Sequence, residues 1–214
     1  MKRFFVVFVL AMALCGSVFA QNTGPFSGFW VHKSDEGNLL FYFLGNTYRL
    51  MILEKSQTVS EGVFSVTNNQ LKLYEITTYQ NGAALFTYGN ISEEAIMLSK
   101  DVNDTPLIGL WVKMNISEPP PEGVFSKLTG VWESSDKNII LFRIYPDGTG
   151  WCYQCSAGMV LEDCFKVKFT APDAEKGKLF QASGAFADTW IELGDYRITG
   201  TKLIAGNREY VKRK

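Results

Sequence analysis

The sequence predicts an all-β protein: two antiparallel, up-and-down β-barrel units in tandem behind a cleaved signal peptide. Three observations carry this. The stretch "GFWVHKSDEGNLLFYF" at residues 28–43 returns about a hundred residues later as "GVWESSDKNIILFRIY" at residues 130–145. Aromatic residues make up 14% of the chain, with 16 Phe and 9 Tyr, and no run after residue 20 has helical periodicity. Turn chemistry recurs at short intervals, at Gly45-Asn46, Asn68-Asn69 and Pro146-Asp147-Gly148.

Residues 1–20 stand apart from the fold. Lys2 and Arg3 precede an apolar run from Phe4 to Leu14, and Val18-Phe19-Ala20 supplies small residues for cleavage after Ala20. The run is too short for a bilayer, which needs roughly twenty residues. A competing reading makes Cys15 a lipid-anchored residue, but Leu14 stands where a small residue is wanted. The chain is therefore expected to be exported, to a periplasm or outside the cell. Without the first twenty residues, 19 basic side chains face 22 acidic ones, a formal charge of −3. That is no footprint of a nucleic-acid binder. No later apolar stretch is long enough for a transmembrane helix.

Repeat 1 occupies residues 21–114 and repeat 2 residues 125–214, joined by a Pro-rich linker at 115–124. Gly28-Phe29-Trp30 matches Gly130-Val131-Trp132, and Asn38-Leu39-Leu40 matches Asn138-Ile139-Ile140. Glu61 to Val66 matches Glu162 to Val167, and Trp111-Val112-Lys113 matches Tyr210-Val211-Lys212. Three consecutive prolines, Pro119 to Pro121, cannot sit inside a sheet and favour a stiff extended linker. Each repeat has room for about eight short strands, and closing them into a barrel removes exposed edges. The rival arrangement, one larger barrel or sandwich with each repeat supplying half, is disfavoured by the linker.

Gly-x-Trp on the first strand of each exported unit, with Trp30 and Trp132 in the same place, resembles the lipocalin-like proteins of the wider calycin group. The resemblance implies that each Trp closes one end of a barrel and that the open end can hold an apolar ligand. In that family an Arg on the last strand covers the Trp. Here the first unit offers Lys113, and the second Arg208 or Arg213. Gly194-Asp195-Tyr196 echoes the family's Thr-Asp-Tyr motif, and units of about ninety residues are shorter than a standard lipocalin.

"WCYQC", residues 151–155, looks like the Trp-Cys-x-x-Cys of thioredoxin-type oxidoreductases, whose reactive thiolate sits at a helix N-terminus. Here the motif lies in a β-run. A thiol oxidoreductase working through Cys152 and Cys155 is thus the minority reading, and the protein is expected not to be an enzyme. The structural alternative is a disulfide. A hairpin of residues 150–155 with 160–169 places Cys152 opposite Cys164, both pointing outward if Trp151, Phe165 and Val167 face the core; Cys155 is the other possible partner. Val63 is the counterpart of Cys164 in the first unit.

Other chemistry finds little support. The only histidine, His32, shares a face with Trp30, and three thiols without a fourth ligand do not close a zinc site. Asp101 to Asp104 lacks the loop of a calcium site and reads as a turn. Glu93-Glu94, and Glu118 with Glu122, lie in loops, and no nucleophile elbow or phosphate loop occurs. No metal or cofactor is expected. Phe41, Phe43 and Tyr48 in the first unit, with Phe142, Trp151 and Trp190 in the second, are the candidates for a ligand cavity, although packing is the commoner use of such residues. The leading function is an exported, non-enzymatic binding protein for a small apolar ligand. The alternative is an envelope scaffold that binds a protein through solid barrels. The basic ending Val211-Lys212-Arg213-Lys214 argues against an outer-membrane barrel.

Overall fold

The computed structural model describes residues 24–34, 37–100, 106–116, 121–134, 139–171, 173, 175–183 and 189–213. The expected signal peptide with Cys15, the Asp101–Asp104 turn and part of the proline linker lie outside them. Sixteen strands form two closed barrels, each antiparallel and each joining neighbours in chain order. The first barrel comprises β1 (Gly28–Ser34), β2 (Gly37–Leu44), β3 (Thr47–Ile52), β4 (Gln57–Thr67), β5 (Gln70–Glu75), β6 (Ala84–Ser92), β7 (Ala95–Ser99) and β8 (Gly109–Met114). The second comprises β9 (Gly130–Ser134), β10 (Ile139–Ile144), β11 (Thr149–Ser156), β12 (Val160–Thr170), β13 (Lys176–Ala182), β14 (Trp190–Thr199), β15 (Lys202–Ala205) and β16 (Arg208–Arg213). Among the described residues there is no α-helix, and no helix long and apolar enough to cross a membrane.

Local chemistry explains the hairpins. Asn68 and Asn69 both take left-handed conformations, as a two-residue type I′ turn requires and as asparagine tolerates best among non-glycine residues. Asp147 caps the β10–β11 turn by accepting from the backbone N–H of Thr149 at 2.9 Å.

The two barrels close in the same register. Trp30 faces Lys113 across the β1–β8 seam, and Trp132 faces Lys212 across β9–β16. Both indoles are fully buried. Trp30 Nε1 donates to the Ser27 carbonyl at 3.2 Å, and Trp132 Nε1 to the Leu128 carbonyl at 2.6 Å. Those carbonyls belong to the chain entering each barrel, whose Phe26 and Leu128 are buried in the respective cores. A lysine lies over each ring, Lys113 Nζ at 5.8 Å and Lys212 Nζ at 5.3 Å. The covering residue of the second unit is thus Lys212, not Arg208 or Arg213. Arg213 instead bonds Glu133 at 2.7 Å. It is one residue along the strand from Lys212, so the pleat turns it to the opposite face.

The barrels are closed separately but are not packed separately. Besides the two interiors, a third apolar cluster joins Val63, Tyr74 and Ile76 of the first barrel to Val131, Ile139, Leu141, Tyr153 and Leu161 of the second. All are outward-facing positions. Strands covered on both faces lose the in–out alternation of a solvated sheet, and β10 ("IILFRI") and β11 ("TGWCYQCS") show little of it. The β2–β3 turn comes so close to the second barrel that a Cβ on Gly45, at φ +53°, would lie 3.2 Å from Cβ of Arg213. Glycine meets both the backbone and the spatial demand there.

The shared cluster makes a single cooperative unfolding transition the expected calorimetric result. Leu141→Ala, at a fully buried interface position, should lower stability by about 2–4 kcal/mol. Two resolved transitions in the unmodified protein would show that the third cluster does not couple the barrels.

Candidate functional site

The two barrels differ at the end opposite the buried Trp30 and Trp132. In the first, Trp111 fills that end, its ring centroid 4.6 Å from Phe41 and 5.1 Å from His32. Trp111 Nε1 donates to the Leu107 carbonyl at 2.9 Å, His32 Nδ1 donates to the Leu110 carbonyl at 2.8 Å, and Leu107 packs on the core. Gly109, at φ +134°, admits this stack, because a Cβ there would meet His32 Cε1 at 2.6 Å. Leu107 lies just before β8, so the chain entering that strand supplies part of this cover.

The second barrel lacks these parts. Tyr210 stands in the place of Trp111 and Ser134 in the place of His32, and only Gly206 and Asn207 link β15 to β16. Register fixes further counterparts. Leu50 faces Phe41 as Cys152 faces Phe142, and Tyr48 faces Phe43 as Gly150 faces Ile144. Leucine has become cysteine and tyrosine glycine, while Phe165 and Val167 of β12 refill part of the space. A cavity of about 200 Å³ remains, lined by Ile140, Phe142, Cys152, Phe165, Leu179 and Tyr210, with exposed Gln154 and Asp195 at its rim.

The expected cavity residues therefore divide. Phe142 lines the mouth of the second barrel. Phe41, Phe43 and Tyr48 are buried in the interior of the first, where Phe41 and Phe43 stack at 5.0 Å and the Tyr48 and Ser60 hydroxyls share a hydrogen bond of 2.9 Å. Trp151 and Trp190 point away from the barrel interior and line a groove between the barrels. The expectation that Trp151 faces the core is corrected by the pleat: it alternates with Gly150 and Cys152, which face inward.

The cysteines need a related correction. Next to the turn the expected register holds, with Ser156 opposite Val160 and Cys155 opposite Leu161. A β-bulge at Gln154/Cys155 then shifts it by one, so that Cys152 faces Phe165 and Cys164 faces Tyr153. A one-residue slip exchanges the faces. Cys152 enters the interior, Cys164 lies on the outer face, and the Cys152–Cys164 bridge is geometrically closed off. All three cysteines are free thiols. Nor is Val63 the counterpart of Cys164. Val63 faces Thr47 as Lys168 faces Thr149, which makes Lys168 its equivalent.

Burial pushes the Cys155 thiol up to about 12 and the Cys164 thiol up to about 11, and drives Cys152 higher still. The thiolate that thiol–disulfide exchange requires is correspondingly scarce at neutral pH, and Cys152 sits within strand β11 rather than at a helix N-terminus.

The groove contains a group that the sequence did not single out. Glu61 of β4 accepts from Trp151 Nε1 at 3.0 Å and from the Tyr145 hydroxyl at 2.5 Å, and pairs with Arg49 at 3.2 Å. The Arg49 guanidinium lies 4.3 Å from the Tyr145 ring centroid. Two of these three partners come from the other barrel. The usable sequence signal was the apolar character of both faces of β10 and β11, which implies a covered outer surface.

Fold and site together define a tandem pair of small, closed, eight-stranded antiparallel barrels, one with a filled end and one with an open end. In comparisons with known proteins, no family model, no curated protein and no solved structure matches the chain.

Two outcomes follow from the buried thiols and phenols. In the native protein at about pH 8, Cys152 and Cys155 should resist a water-soluble disulfide reagent, and Cys164 should react first; all three should react after denaturation. These groups add no pH dependence below about pH 7.5, where they are protonated in both states. Above it the unfolded chain loses protons that the folded chain retains, so stability should decline up to about pH 12, through the raised pKa values of Cys164 and Cys155. Urea midpoints measured across that range check the sign.

Proposed function

We propose that the protein is an exported, non-enzymatic binding protein whose second, lipocalin-like barrel holds a small apolar ligand at its open end, while the first barrel serves as its solid support. The observation that carries this reading is the asymmetry of the repeats. The Trp111–His32–Leu107 cover of the first barrel has no equivalent in the second, where an apolar cavity of about 200 Å³ opens instead. An engineered apolar cavity of about 150 Å³ binds benzene. The mouth therefore suits a monocyclic apolar molecule, or the end of a longer one whose remainder lies outside. For about ten heavy atoms at roughly 0.5 kcal/mol each, affinity falls in the high-micromolar range.

The filled interior of the first barrel equally supports the alternative of a scaffold that engages an envelope protein and carries no small ligand. One titration separates the two. With p-cresol as probe, heteronuclear NMR should show saturable shifts confined to the Ile140 and Leu179 methyls and the rings of Phe142, Phe165 and Tyr210. These shifts should vanish in Cys152→Leu, which restores the residue of the first barrel, with the fold intact. No saturable shift, or shifts spread equally over both barrels, would sink the mouth as a ligand site and leave the scaffold reading.

A further inference from the structure

We propose that the groove between the two barrels is a second binding site, formed only by their junction, and that its ligand is a neutral saccharide. The groove has a volume of about 500 Å³, within the range of roughly 300–1,000 Å³ usual for small-molecule sites. It runs from the start of β4 and the end of β5 on the first barrel to Tyr145, β11, β12 and Trp190 on the second. Neither barrel alone has it.

Its polar groups are of both signs and are held in place. The Glu61 carboxylate is oriented by donors from both barrels, and its charge is compensated by Arg49. Glu75 takes one hydrogen bond, from the Thr78 hydroxyl at 3.2 Å, which leaves acceptor capacity toward the groove. Lys166 supplies an ammonium, 5.8 Å from the Trp151 ring centroid. Threonine hydroxyls at positions 58, 77 and 149 add neutral donors and acceptors.

Trp190 provides the flat surface, since Trp151 is buried and its N–H is already given to Glu61. Trp190 is half-buried, and its N–H makes no hydrogen bond among the described residues. The face of an indole packs well against the C–H face of a sugar ring, while the N–H remains available to a hydroxyl.

Charge narrows the ligand class. Glu61 and Glu75 stand against Arg49 and Lys166, so the wall carries no net charge to attract an ion. An apolar ligand would strip water from Glu75 and return no hydrogen bonds, which opposes its binding. An anion would meet the two carboxylates, and a cation would meet Lys166. A neutral molecule rich in hydroxyls satisfies acceptors and donors together and stacks on Trp190.

The test uses the protein recovered after expression of the full chain, titrated with maltotriose, cellotriose and chitotriose by calorimetry and by NMR of the indole N–H signals. The expected result is saturable binding of at least one trisaccharide, with shifts at Trp151 and Trp190 and at least tenfold weakening in both Trp190→Ala and Glu75→Gln. Both substitutions are at the groove surface, and unchanged melting curves would confirm that they report on binding. The proposal is overturned if none of the three binds at about 10 mM, or if binding survives both substitutions. Tighter binding of an acidic or amino sugar than of its neutral parent overturns the neutral assignment.

Discussion

The arrangement of this protein rests on one constraint: the outer faces of β10 and β11 are too apolar to meet water. A small barrel has a single interior, and in the second barrel Trp132, Phe142, Cys152, Val167 and Phe169 already occupy it up to the open end. Ile139, Leu141, Trp151 and Tyr153 face outward and are nonetheless buried. Only the first barrel is available to cover them, through the outer face of β4–β5. Full burial of each such side chain contributes roughly 2–3 kcal/mol, so four or five of them outweigh any single polar contact at the junction. The Glu61 cluster then acts as a register mark, since its carboxylate is satisfied only when Trp151 and Tyr145 arrive at the right depth.

Seen within one chain, the duplication separates what a unit needs in order to close from what it is free to change. The base of each barrel is the same device: a buried indole bonded to an incoming carbonyl and overlain by the lysine opposite it on the last strand. The open ends have diverged, and so have the outer faces. The first barrel presents β4–β5 to the junction and the second presents β9 to β12, so the contact is not between equivalent surfaces. A non-equivalent contact of this kind leaves one face of each barrel free, and on the first barrel the exposed Leu110, Val112 and Met97 remain on β7 and β8.

How much of this was legible in the sequence depends on how local each signal is. The duplication, the all-β class and the two barrels follow from turn residues and the repeated Gly-x-Trp, which act over a few positions. The face assignment of Trp151 was not legible, because a strand buried on both sides has no alternation to read. The Cys152–Cys164 pairing failed for a different reason. The register next to the turn was right, and a single bulge at Gln154/Cys155, unmarked by glycine or proline, reversed every face beyond it. Lys212 was missed as the cover of Trp132 because that role is set by position opposite the indole, and Arg208 and Arg213 drew attention by residue type alone. Glu61 was invisible as a site residue, since Tyr145 and Trp151 lie 84 and 90 positions away in sequence.

The bulged hairpin of β11 and β12 also places the two candidate sites back to back. Cys152 and Phe165 face the mouth of the second barrel, while their chain neighbours Trp151 and Lys166 face the junction groove. Alternation along a strand makes these the two surfaces of one sheet, a single backbone thick. Close packing leaves little slack on either side, so a shift of Cys152 or Phe165 is transmitted directly to the indole that bonds Glu61. The Trp151–Glu61 hydrogen bond is therefore where occupancy of the mouth would be felt by the first barrel, and the duplicated chain joins an apolar recess and a polar groove through one pair of strands.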